Sequence, residues 1–131
     1  MIVVDSSALV AILEEEPEAE RFLQIIRDAS RRLASAVTVY ETGVVIGARR
    51  GHESAAEIMA FIDELGIEIV PFAEPYITGA MEAYSRYGKG IHPKARLNLG
   101  DCAAYVLAKS LNAPLLFKGS DFVETDILTC V

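Results

Sequence analysis

The stretch that decides the fold is MIVVDSSALVAIL, Met1–Leu13. Met1 to Val4 is a short apolar run with β-branched Ile2, Val3 and Val4, the composition of a buried strand. Asp5, Ser6 and Ser7 follow at once, and their short polar side chains cap a helix by accepting hydrogen bonds from its first free N–H groups. The apolar residues that follow carry that helix through Leu13. One β-to-α step, with a carboxylate at the joint, is therefore legible in thirteen residues.

The same step repeats along the chain. Pro17 opens a second helix through about Ala29, and Leu33–Val37 is a short strand candidate. Thr38 then caps a helix running to Arg50, with Glu41 in the capping-box position and Gly51 as terminator. Glu53–Leu65 is an amphipathic helix ended by Gly66, Ile67–Phe72 is strand-like, and Pro75–Tyr87 is a further helix. Gly88–Leu97, rich in Gly, Pro and basic residues, reads as an exposed loop. Asn98 or Gly100 starts a helix through Leu111, Leu115–Phe117 is a buried strand, Lys118–Thr125 is turn-rich, and Ile127–Val131 is a candidate last strand. Four or five short strands with helices between them predict an α/β fold, a mainly parallel sheet with helices on both faces.

Size and composition set the bounds. The 131 residues fit one domain, 1–131, long enough for a core without disulfides. Its 52% hydrophobic content and 24% charge suit a compact soluble protein, and runs such as Ala8–Leu13 fall far short of the ~18 apolar residues of a membrane span. No basic, apolar leader precedes the first strand, so secretion is not expected. Cys102 and Cys130 lack a paired pattern, which fits small apolar fillers in a reducing compartment, the cytoplasm.

The net charge of −7 argues against a non-specific nucleic-acid binder. It hides an asymmetry. Glu14, Glu15, Glu16, Glu18 and Glu20 crowd one early turn, where a solvated helix start accounts for them. Arg86 to Arg96 holds Arg86, Lys89, Lys94, Arg96 and His92 with no acid. This segment is either an ordinary solvated loop or an anion-facing surface. His52 and His92 are too isolated for a metal site or a proton-transfer pair, and a surface role suffices for them. The five tyrosines are read as core or rim rather than as a stacking platform.

Glu41 poses the sharper question. Within TVYETGVV, Thr38–Val45, its helical neighbours are Val37, Thr38, Val44 and Val45, and burying an ionised carboxylate there costs several kcal/mol unless something compensates it. In open α/β sheets the ligand crevice lies beyond the carboxyl ends of strands. Asp5 and Asp121 would share that edge, and helix starts would aim Glu41 and Asp101 into it. Four packed anions repel, and hard divalent cations with oxygen ligands, Mg²⁺ or Mn²⁺, resolve the conflict. Each acid also has a local reading: Asp5 as N-cap, Glu41 as capping-box partner, Asp101 as first-turn acid, Asp121 as turn former. Asp126 is read as a turn residue that could assist the site. Ser6 and Ser120 are capping or turn residues placed to donate to the acids.

At these residues a resemblance emerges. MIVVDSSALVAIL, TVYETGVVI, HPKARLNLGDCAAYVLA and PLLFKGSDFVETDI resemble, in order, the successive motifs of PIN-domain ribonucleases, specifically the VapC toxins of bacterial toxin–antitoxin pairs. The resemblance spans nearly the whole chain. It implies a three-layer α/β/α sandwich, an acidic cluster binding Mg²⁺ or Mn²⁺, and endonucleolytic hydrolysis of RNA that leaves 5′-phosphate and 3′-hydroxyl ends. Carried over by position, the acids are Asp5, Glu41, Asp101 and Asp121. Ser120 departs from the pattern, standing where many relatives have Asn or a second acid. The implied partners are RNA, a cognate antitoxin whose segment covers the acidic crevice, and a second copy, with helices such as Glu53–Leu65 available for packing. Three alternatives stand beside this: a receiver-like module using Lys118, a phosphatase with an aspartyl nucleophile, and a catalytically silent binding module. The first strand ends in one acid rather than two, and position 7 is Ser, which weighs against the first two.

Overall fold

A computed structural model describes residues 1–131. Four parallel strands, β1 (Ile2–Val4), β2 (Arg32–Ser35), β3 (Ile67–Val70) and β4 (Leu115–Leu116), form one sheet in the order β3-β2-β1-β4. The helices are α1 (Ser6–Leu13), α2 (Ala19–Asp28), α3 (Ala36–Arg50), α4 (Ala55–Glu64), α5 (Glu74–Tyr87) and α6 (Leu99–Leu111), with a short 3₁₀ turn at His52–Ser54.

Strand alternation divides the core in two. Ile2, Val4, Ala34 and Leu116 face a cluster built with Leu9, Phe22, Ile26, Ile46, Ile58 and Ile62 of α1 to α4. Val3, Leu33 and Leu115 face the other side, against Ala83 of α5 and Tyr105, Leu107 and Ala108 of α6. The result is the expected α/β/α sandwich. β1 to β3 step outward on one side, and β4 returns to the opposite flank of β1. The topology therefore reverses between β1 and β4, which opens a crevice at their carboxyl ends.

Several boundaries differ from the sequence reading. β2 ends at Ser35, and Ser35 rather than Thr38 caps α3, its hydroxyl accepting from Val37 N–H at 3.2 Å. Thr38 lies inside the helix, fully buried, so Glu41 is not a capping-box residue. The S/T-x-x-E pattern is a decoy: pairing of Ser35 with Val70 and burial of Thr38 move the joint back by one turn. Helix α2 starts at Ala19, two residues beyond Pro17, with Glu18 at its N-cap. β3 stops at Val70 instead of Phe72. The last strand is reduced to one bridge, Leu115 with Thr129, because β4 offers only two residues before the chain turns away. At the α6 start the choice falls on Asn98, whose side chain accepts from Asp101 N–H while Asp101 accepts from Asn98 N–H in a full capping box.

Candidate active site

Asp5 is the last residue before α1 and is 1% exposed. One of its oxygens, Oδ2, accepts from Ser7 N–H at 3.0 Å and from the Ser7 hydroxyl at 2.6 Å. The other, Oδ1, is buried with no partner. Ser7 Oγ in turn accepts from the Lys118 N–H at 2.9 Å, which ties the head of α1 to the loop beyond β4 across the switch point.

Glu41 reaches the same place from α3. Its surroundings are less apolar than the sequence suggests: Thr38 is buried, but Val44 is 51% exposed and Glu41 itself is half-buried. The carboxylate accepts from Ser6 Oγ at 2.7 Å. It also lies flat against the first turn of α6, where a Cβ on Gly100 would overlap both of its oxygens. A side chain at position 100 would push the end of Glu41 aside, so Gly100 lets the carboxylate keep this position.

Asp101 follows directly, 6% exposed. Burial pushes its carboxyl up to about 7, and the charges of Asp5, Asp121 and Glu41 add to the rise against the opposing hydrogen bond from Asn98. Burial likewise pushes Asp5 up to about 6; the Ser7 bonds oppose this and the Glu41 charge adds to it. Asp121, half-buried in the turn after β4, is close enough to act on Asp101. Asp5, Glu41 and Asp101 therefore lie near one another at the β1–β4 switch point, with Asp121 near enough to act on Asp101, although no three of them converge as a cation cage. None of them is salt-bridged to a lysine, arginine or histidine. The unpartnered Asp5 Oδ1 and the uncompensated like charges fit a hard divalent cation, which takes oxygen ligands and offsets both costs.

The neighbouring polar residues sort clearly. Ser6 donates to Glu41 as expected, whereas Ser120 is exposed and bonds none of the acids. Asp126 is committed elsewhere, accepting from the Tyr105 hydroxyl and pairing with Lys109 at 3.0 Å. Lys118 is held by Glu16 at 2.8 Å and Glu18 at 3.2 Å, so it does not serve the acids as a receiver-like lysine would. The early glutamates are thus partly paired surface residues at the α1–α2 turn rather than a simple solvated helix start. Burial pushes the Cys102 and Cys130 thiols up to about 11, and both are free. Sequence reasoning passed over two contributors: Ser7, hidden among capping residues, and Gly100, whose role depends on a side chain 59 positions away that only the fold brings near.

A parallel sheet reversing at β1, with acids at the reversal, defines a class. The PIN domain model matches residues 2–128, and the chain belongs to the PIN-domain family. Within that family it stands with the VapC ribonucleases. It is 44% identical over 128 residues to the VapC ribonuclease Mb0640 of Mycobacterium bovis, covering 98% of this chain and 97% of the relative. It is 41% identical over 126 residues to ribonuclease VapC of Mycolicibacterium smegmatis, covering 96% and 97%. Among solved structures, Mycobacterium tuberculosis VapC20, described as a Sarcin-Ricin loop cleaving toxin, superposes with a TM-score of 0.79 over 98% of this chain and 97% of that one. FitAcB from Neisseria gonorrhoeae follows at 0.71 over 98% and 96%. At 14% and 19% identity, these two share the fold with this chain. No helix is long and apolar enough to cross a membrane.

Proposed function

We propose that the protein is a divalent-metal-dependent endoribonuclease, the toxin of a toxin–antitoxin pair, and that Asp5, Glu41, Asp101 and Asp121 form its active site. The observation that carries this is the set of four acids gathered at the switch point of a VapC frame with no cationic side chain among them. Asp5, Glu41 and Asp101 would hold Mg²⁺ or Mn²⁺, with Asp121 completing the set. The chemistry such an ion supplies is Lewis acidity toward the scissile phosphate and toward water.

The chain's own residues prepare that site. Ser7 fixes Asp5 through Oδ2 and leaves Oδ1 as a free ligand atom. Ser6 sets the rotamer of Glu41 by donating to Oε1, and Gly100 leaves room for the carboxylate. The capping box fixes Asp101 on a rigid helix start. With its carboxyl at about 7, Asp101 retains a proton for part of the time at neutral pH, and it would have to release that proton to serve as a ligand.

Partners follow in the same reading. The solved neighbours include toxin–antitoxin complexes from Klebsiella pneumoniae and Rickettsia felis, which supports an antitoxin for this chain also. Exposed Ile77, Met81 and Leu99 rim an apolar cleft of about 360 Å³ between α5 and the start of α6, a face suited to a second copy. The α4 helix expected for that role turns Ile58 and Ile62 into the core. The unpaired thiols suit a cytoplasmic location.

The test uses purified protein free of antitoxin. It should cleave RNA with Mg²⁺ or Mn²⁺ and lose that activity in EDTA. Cleavage that persists in EDTA, or acetyl phosphate labelling of the protein, would overturn the assignment.

A further inference from the structure

Gly88–Leu97 is not the loose loop its composition suggests. Its ends are clasped: Lys89 N–H donates to the Leu97 carbonyl at 3.0 Å and Leu97 N–H to the Tyr87 carbonyl at 3.1 Å. Ile91 and His92 N–H both donate to the Gly88 carbonyl. Ala95 and Leu97 are fully buried, plugging the loop into the body of the protein. Its far side is closed by one side chain. His92 Nδ1 accepts from Lys94 N–H at 3.1 Å and from Ala95 N–H at 2.8 Å, the pattern of an Asx-type turn made by an imidazole. The His92 ring packs on Tyr87 at 5.7 Å, Tyr87 packs on Tyr105 of α6 at 5.7 Å, and the Arg86 guanidinium lies over the Tyr87 ring at 4.9 Å.

What this scaffold displays is charge. Arg86, Lys89, Lys94 and Arg96 are all exposed, and none takes part in a salt bridge, although the chain carries net charge −7 and has acids to spare. Keeping three unpaired cations on an ordered loop, with Arg86 at the end of α5 just before it, costs free energy that an anionic ligand recovers. The loop also runs straight into the active site, since Leu97 precedes the Asn98–Asp101 capping box and Gly100.

We propose that Gly88–Leu97, with Arg86, is a preformed cradle for the phosphates of an RNA strand beside the cleavage site, and that His92 is the positioning residue that holds its shape. This rests on the ribonuclease reading for the identity of the polyanion. Two hydrogen bonds to Nδ1 keep the Lys94–Arg96 backbone turned so that its cations project together. RNA binds the loop through its backbone, without base readout, and the contacts weaken as salt rises.

The experiment measures fluorescence anisotropy of a labelled single-stranded RNA in EDTA, where no cutting is expected, across a series of salt concentrations, with thermal unfolding as a check on folding. The double variant Lys89→Ala/Lys94→Ala should bind roughly tenfold more weakly and lower the slope of log K against log salt by about 1.4, two single-strand phosphate contacts' worth. His92→Ala, which removes no loop cation, should also weaken binding and flatten the slope. His92→Phe, which keeps the ring without the acceptor, should behave like His92→Ala. His92→Asn should restore binding, because its Oδ1 accepts the same two N–H groups. With Mg²⁺ present, the double variant, His92→Ala and His92→Phe should raise KM and leave kcat unchanged, and His92→Asn should keep the wild-type KM. A double variant with wild-type affinity and slope overturns the cradle, as does loss of antitoxin binding with RNA binding intact. His92→Ala with wild-type RNA binding overturns the positioning role. RNA bound with the expected slope yet never cut with Mg²⁺ or Mn²⁺ would instead sink the ribonuclease reading and leave the cradle standing.

Discussion

Two groups of acids in this protein face opposite fates. Glu16 and Glu18, at the turn between α1 and α2, share Lys118, and a hydrogen bond from its own backbone N–H, reinforced by Lys118, holds the Glu18 carboxyl below the usual range. Asp5 and Asp101, in the crevice between β1 and β4, have no cation, and burial among like charges pushes them up to about 6 and about 7. The outer group has its charge offset by Lys118, although Glu18 Oε1, like Asp5 Oδ1, is buried without a hydrogen-bond partner. The inner group is left uncompensated at the place where the topology opens the sheet, a cost that the proposed cation would offset.

The largest effect should come from Asp101→Asn. Asparagine keeps the acceptor that holds the capping box but removes the charge, so RNA cleavage should fall to background in a gel assay. The same variant should be the more stable protein above neutral pH without metal. A raised carboxyl binds its proton in the folded state after the unfolded chain has lost it, so wild-type stability falls as pH rises from about 4 to about 7. Removing that cost should contribute on the order of 2–4 kcal/mol at pH ~8, read as a higher Tm. Saturating Mg²⁺ should raise the wild-type Tm at the same pH and narrow the gap. An Asp101→Asn protein with wild-type activity, or a lower Tm at high pH, would erase the contrast between the two groups.

Gly100→Ala should come next. The new methyl group strikes the Glu41 carboxylate, and a displacement of about 1 Å costs on the order of 100-fold in kcat/KM. Circular dichroism should show the fold intact, since alanine suits a helix. Wild-type kcat/KM would show that Glu41 is free to move without consequence. Lys118→Ala should do least: it breaks partly exposed pairs away from the acids, so cleavage should stay at the wild-type level and Tm should shift little. A large loss of activity would merge the two groups into one functional network.

Much of this was legible in advance because it is local. Asp5-Ser6-Ser7 caps α1 by short-range hydrogen bonds, Gly51 ends α3 at φ 106° where glycine alone is at ease, and Asn98 with Asp101 forms a capping box within four residues. The placement of α3 was misread for the same reason. Ser35 and Thr38 are both good caps, and the box pattern favoured Thr38. Pairing of Ser35 with Val70, 35 residues away, decided otherwise. His92 looked solitary because its partners are backbone N–H groups and the Tyr87 ring, neither of which leaves a mark on side-chain patterns.

Alternating strands and helices, the joints at Asp5 and Asn98, and the order of the four motifs are properties of neighbouring residues, so the sequence alone determined the α/β class and nominated the acids. Only the tertiary structure decided that these acids meet. Strand order β3-β2-β1-β4 sets the carboxyl ends of β1 and β4 side by side, and α3 crossing α6 at Gly100 brings Glu41 against them. Charge repulsion and desolvation depend on distance through space, and chain position does not encode that distance until the sheet has closed.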